Sequence, residues 1–170
     1  MTSIIKYIIA AVILFCSNSV HAECLDTPAK LKAQDAVNMS CISQEKNLLL
    51  LIYSSTHGDI FVGFLTMPPK SCNINIQESK APSKVINEKT VRFVRICSIY
   101  TDAPEKTVSY DIPATMAGFN YIKKQILKNK PLVVTSPNKD NPFKATFDTH
   151  KYREMILDAF NANDGLHGGI

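Results

Sequence analysis

The sequence predicts an α+β fold: a single domain with a mainly antiparallel sheet and two helices, at about residues 114–128 and 150–160. Three observations predict it. Residues 47–53 (NLLLLIY) and 60–66 (IFVGFLT) are apolar runs of strand length joined by a short polar loop with a glycine, which is the pattern of a hairpin. Two later segments repeat apolar residues at helical spacing: Met116, Phe119, Ile122 and Ile126, then Tyr152, Met155, Ile156, Ala159 and Phe160. The strand signals come first and the helices late, without the regular strand and helix alternation of a parallel sheet.

The chain opens with Lys6 and an uninterrupted apolar run, residues 8–15 (IIAAVILF), which is a signal-peptide core in length. A spanning helix needs about 20 apolar residues, and this run gives way to Cys16, Ser17 and Asn18. Val20, His21 and Ala22 then offer small or tolerated residues for a signal peptidase. The expectation is a signal peptide over 1–22, a mature start at Glu23, one disulfide-stapled domain over 23–161 and a flexible tail over 162–170. Phe15 stands where a lipobox needs Gly or Ala before its cysteine, so lipidation at Cys16 is not expected. No later run reaches spanning length, and no stable membrane anchor is expected.

Removing residues 1–22 takes Cys16 away and leaves Cys24, Cys41, Cys72 and Cys97. An even number in an exported chain reads as two structural disulfides. Four cysteines allow three connectivities, and the sequence leaves them open; the sequential pairing closes the shortest loops, each contributing on the order of 3 kcal/mol. No C-x-x-C supports redox catalysis, and no Cys/His spacing supports zinc.

The remaining elements follow in chain order. Residues 23–40 are polar and read as an irregular arm or short helix held by Cys24 and Cys41. Residues 72–77 (CNINIQ) alternate and read as a third strand; 79–83, around Pro82, read as a turn. Residues 90–100 (TVRFVRICSIY) are the next strand, whose Arg92 and Arg95 are expected to be solvated. A turn over 102–105 leads to a short strand at 107–110. Asp111 as N-cap and Pro113 in the first turn start the first helix, which Asn129 and Pro131 stop. Short strands follow at 132–136 and 145–148, around a turn at 137–142, and Thr149 caps the last helix.

Composition bounds the function. A chain with 45% hydrophobic and 20% charged residues is globular, and a net charge of +4, falling to +3 without Lys6, commits it to neither nucleic acid nor an anionic surface. Lys123, Lys124, Lys128 and Lys130 gather at the end of the first helix, where cations complement the helix dipole and also form a patch for an acidic partner. No aromatic residues interleave that patch for nucleic-acid stacking. Asn38-Met39-Ser40 is a glycosylation sequon. His57 and Asp59 share one loop with Ser54, Ser55 and Thr56; this is the most reactive-looking cluster, and a hairpin turn is the reading preferred for it. There is no G-x-S-x-G, H-E-x-x-H or phosphate-binding glycine pattern, and no cofactor or metal is expected.

The order of features resembles the invasion-associated locus B family of small exported bacterial proteins. Cys41-Ile42-Ser43-Gln44 looks like that family's Cys-x-x-Gln before a hydrophobic strand, and Leu65-Thr66-Met67-Pro68 like its strand ending in Pro, with Cys97 as a later cysteine. Leu127-Lys128-Asn129-Lys130 before Leu132-Val133-Val134 is similar to its Lys-Gly turn into a strand, and residues 145–160 to its closing strand and helix. Where the family has Gly-Phe near the start of that helix, this chain has His150-Lys151. The resemblance spans residues 41–160 and implies an exported protein associated with host-cell interaction, with no catalytic residues to carry over.

Together these readings predict a periplasmic or secreted, non-enzymatic binding module with a protein partner in the envelope or on a host surface. Two alternatives accompany it: an inhibitor or immunity protein against an envelope hydrolase, and a hydrolase using His57.

Overall fold

The computed structural model describes residues 23–26, 36–54, 59–76, 78–100, 103–138, 140 and 142–161. The expected signal peptide, the tail over 162–170 and His57 lie outside the described residues.

Among the described residues nine strands form one antiparallel sheet: β1 (Glu23–Asp26), β2 (Ala36–Ile42), β3 (Leu48–Ser54), β4 (Ile60–Thr66), β5 (Glu78–Ile86), β6 (Lys89–Tyr100), β7 (Ala103–Pro113), β8 (Leu132–Thr135) and β9 (Lys144–Phe147). Their spatial order is β1-β2-β3-β4-β7-β6-β5-β8-β9. Two helices complete the α+β fold, α1 (Met116–Ile126) and α2 (Arg153–Asn161), the latter entered through a single 3-10 turn, Thr149–Tyr152. The two predicted helices and the hairpin β3–β4 stand as expected.

The sheet curls until β9, at one end, meets the β2–β3 turn. Phe64 of β4 packs edge-on to Phe93 of β6 and tilted against Phe147 of β9, with ring centroids 5.8 and 6.2 Å away. The outer side of β9 is met by the β2–β3 turn: Gln44 N–H donates to the Thr146 carbonyl at 2.8 Å, and the Glu45 carboxylate accepts from Thr146 N and Oγ1 at 2.6 and 2.8 Å. An end strand whose backbone groups are paired in this way offers no template for further pairing. The core inside the curl is built from Leu50, Ile52, Val62, Phe64, Phe93, Leu132, Val134 and Phe147, and both helices lay their apolar faces against it through Ile122, Ile126, Ile156 and Phe160.

Several elements differ from the sequence reading. The polar arm contributes β1 and β2, because Cys24 and Cys41 face each other across the two strands and are joined. Residues 73–76 are a turn rather than a strand, with Ile76 N–H donating to the Asn73 carbonyl and Asn75 N–H to its side chain. The expected turn at 79–83 is the middle of β5, where a bulge between Ala81 and Lys84 accommodates Pro82. The expected short strand at 107–110 is the centre of the 11-residue β7. Asp111 belongs to that strand, so the cap falls to Thr115, whose Oγ1 accepts from Gly118 N at 3.1 Å.

Asn38 is buried in β2 and its Nδ2 donates to Ser54 Oγ at 2.7 Å and to the Ala159 carbonyl at 3.3 Å, pinning α2 to the sheet. A side chain so engaged is no glycan acceptor.

Candidate functional site

The four lysines singled out by the sequence sit on and after α1, and the fold holds that helix firmly. Gln125 is buried under it, and its Oε1 accepts from Asn87 Nδ2 at 2.8 Å. Asn87 turns the β5–β6 hairpin with φ 53°, a conformation that Asn tolerates. The same residue exchanges two bonds with Val133 of β8, its N–H donating to the Val133 carbonyl at 2.7 Å and its Oδ1 accepting from Val133 N at 2.9 Å. Tyr121 Oη donates to the Ile86 carbonyl at 3.1 Å. Gly118 lets the helix approach β6, since a Cβ there would stand 3.0 Å from Val91 Cγ1.

At its end, α1 meets the start of α2. Arg153 Nε lies 3.5 Å from the Leu127 carbonyl, one of the acceptors a helix end leaves open. Lys123 is half-buried with its ammonium 4.7 Å from the centre of the Phe160 ring, a cation–π contact that fixes its position. Lys124 and Lys130 are exposed and Lys128 half-buried. Among the described residues none of the four lysines makes an ion pair. Arg153, which the sequence reading did not include, adds a fifth cation, opposed by Glu154 at 3.7 Å. Residues 116–130 hold four lysines and no carboxylate, so this one stretch equals the whole chain's net charge of +4.

A second group of cations is engaged inside the sheet. Asp111 is buried and accepts from Lys84 Nζ at 2.5 Å, from Arg95 Nε at 2.8 Å and from Arg95 Nη2 at 3.2 Å. Lys84 is buried too, with its ammonium 4.5 Å from the Phe93 ring centre. Burial pushes its pKa down, and the attraction of Asp111 offsets only part of that shift. Arg95, expected to be solvated, instead anchors β6 to β7 through a two-pronged contact. An amine buried and paired in this way is closed to a substrate from solvent. Nothing in the sequence marked Lys84 among the chain's lysines, because its partner arrives 27 residues later through strand register.

The disulfides are Cys24–Cys41 and Cys72–Cys97, the sequential pairing. Two such bonds indicate an oxidising, extracytoplasmic environment. The first lies in the core; the second fastens the turn after β4 to β6, assisted by Thr107, whose Oγ1 accepts from Cys72 N at 2.9 Å and donates to its carbonyl at 2.7 Å. Among the described residues no helix is long and apolar enough to cross a membrane, and no three His, Cys, Asp or Glu side chains gather as metal ligands. His150 lies in the 3-10 turn, with its Nδ1 buried and unpartnered beside the equally unpartnered Thr149 Oγ1.

No protein-family model, curated protein or solved structure matches the chain.

Proposed function

We propose that this protein is an exported, disulfide-stapled, non-enzymatic binding module of the periplasm or the secreted fraction, and that it engages an acidic protein partner through the lysines at the end of α1. The observation that carries the reading is the segregation of charge: Lys123, Lys124, Lys128 and Lys130 stand together on a rigidly held helix end, without carboxylates to neutralise them. Fields from one-sided clusters of this kind steer partners of opposite charge. The expected signal peptide and the two disulfides support export. The resemblance of residues 41–160 to the invasion-associated locus B family supports a partner on the envelope or a host surface.

The test is to immobilise the oxidised mature protein as bait against envelope and host-surface extracts, beside a Lys124→Glu/Lys128→Glu/Lys130→Glu variant. A partner retained by the first, released as salt rises and absent from the second is the expected result. Retention of the same proteins by both baits, or of none by either, overturns the reading.

A further inference from the structure

A different surface, at the start of β5, is unfinished as a piece of sheet. β8 pairs with β5 only at Val85 and Ile86, so among the described residues no strand flanks β5 on that side from Glu78 to Lys84. Glu78, Ser79 and Lys80 are consecutive and all exposed, which means that neither face of the strand is covered there. An open edge is a template for another strand.

The charges on this edge are self-complementary. In an antiparallel pairing of two identical edges with Ser79 on the two-fold axis, Glu78 of each copy lies opposite Lys80 of the other, and the two pairs flank the axis symmetrically. Neither Glu78 nor Lys80 makes an ion pair within the described part of its own chain. Lys80, Ala81 and Ser83 of this edge, with Arg92, Phe93 and Val94 of β6, line a hollow of about 400 Å³ beside it.

The approach to the edge is uncharged, exposes two isoleucines and is tethered at its start. Ile74 and Ile76 are 44% and 55% exposed, in a segment, residues 71–77, that contains no charged side chain. The Cys72–Cys97 disulfide and the two Thr107 bonds hold the start of that segment against β6 and β7. Ordering it in advance lowers the entropy cost of association. Pro82 and the bulge end the regular edge, which centres the pairing on Glu78, Ser79 and Lys80, and a two-fold contact is used up once two copies meet.

We propose that this protein forms a two-fold dimer by antiparallel pairing of the Glu78–Lys80 edges of two copies about Ser79. Sedimentation velocity of the oxidised mature protein at about 100 µM is expected to show the dimer. Glu78→Lys and Lys80→Glu, each placing like charges across the axis, are expected to weaken it at least about tenfold. Mixing the two variants in equal amounts restores opposite charges at every contact, and the double variant does so within one chain, so dimers return in both cases. A monomeric wild type at that concentration overturns the proposal. So does either single variant that dimerises as tightly as wild type, or a mixture that stays monomeric. The α1 lysine variant is expected to dimerise normally, and loss of the dimer there would place the interface elsewhere.

Discussion

The chain gathers cations in two places, and it spends them differently. Around Asp111, Lys84 and Arg95 lie on adjacent strands with their donors aimed at one carboxylate. At the end of α1, Lys124 and Lys130 are exposed and Lys123 and Lys128 half-buried, and none of the four has a counter-ion within ion-pair distance among the described residues. Residue type does not separate the two groups; position in the sheet does. The first group is committed to the fold, since the buried Lys84 and Asp111 have no water to exchange for each other. The second is left to whatever the protein meets.

The comparison breaks most visibly at Asp111. Asp111→Ala leaves Lys84 buried with no counter-charge, and removing one member of a buried pair costs about 3–5 kcal/mol. Urea denaturation of the oxidised protein measures this. Lys84→Met with Asp111→Leu is expected to recover most of the loss, because both buried charges then vanish together. Arg95, whose side chain is 38% exposed, can turn to water.

Gly118 is the next largest effect and links the two groups. A Cβ at this position would stand 3.0 Å from Val91 Cγ1 and 3.3 Å from Thr115 Oγ1, so Gly118→Val must push α1 off β6 and disturb its cap. Overpacking of this kind costs about 1–3 kcal/mol. Thermal melting reports the loss, and partner binding falls with it because the lysines ride on the displaced helix.

These two positions show what the sequence made legible. The apolar runs of β3, β4 and β6 and the spacing of Ile122, Ile126, Ile156 and Phe160 carry their own signal, since each face of a strand or helix imposes its period. The committed charges carry none. Asp111 two residues before Pro113 reads locally as a helix cap, and the pairing of β7 with β6 and β4, Arg95 and Phe64 against Asp111, shows that the strand runs on. Pro82 reads as a turn because proline interrupts ladders, yet it is tolerated at a bulge on an open edge. Residues 72–77 alternate like a strand, but the disulfide and Thr107 fasten their start as a turn. In each case a contact distant in sequence outweighs the local preference, so α1's lysines were found and the Asp111 cluster and the β5 edge were not.

Asp148 gives a smaller, pH-dependent effect. Burial raises its pKa, but hydrogen bonds from Lys151 and Gln44 and the positive charge of Lys151 outweigh that and bring it below the usual carboxylate value. A carboxyl whose folded pKa is depressed contributes stability above its unfolded pKa and loses it as the pH falls through the folded one. Wild type is therefore expected to lose stability more steeply than Asp148→Asn below about pH 4, as measured by denaturation midpoints.

The smallest expected change sharpens the comparison most. Replacing Lys124, Lys128 and Lys130 by alanine removes cations that favour the α1 dipole by about 0.3–1 kcal/mol each at most, and also removes their mutual repulsion. Alanine is the better helix former, by a few tenths of a kcal/mol at a helical position. The opposing terms leave the melting midpoint close to wild type, within about 0.5 kcal/mol, while binding of an acidic partner is lost. A drop in stability approaching that of Asp111→Ala would mean that these lysines are committed to the fold after all. The two groups would then be one kind of feature, and the charge at the end of α1 would no longer point to a partner.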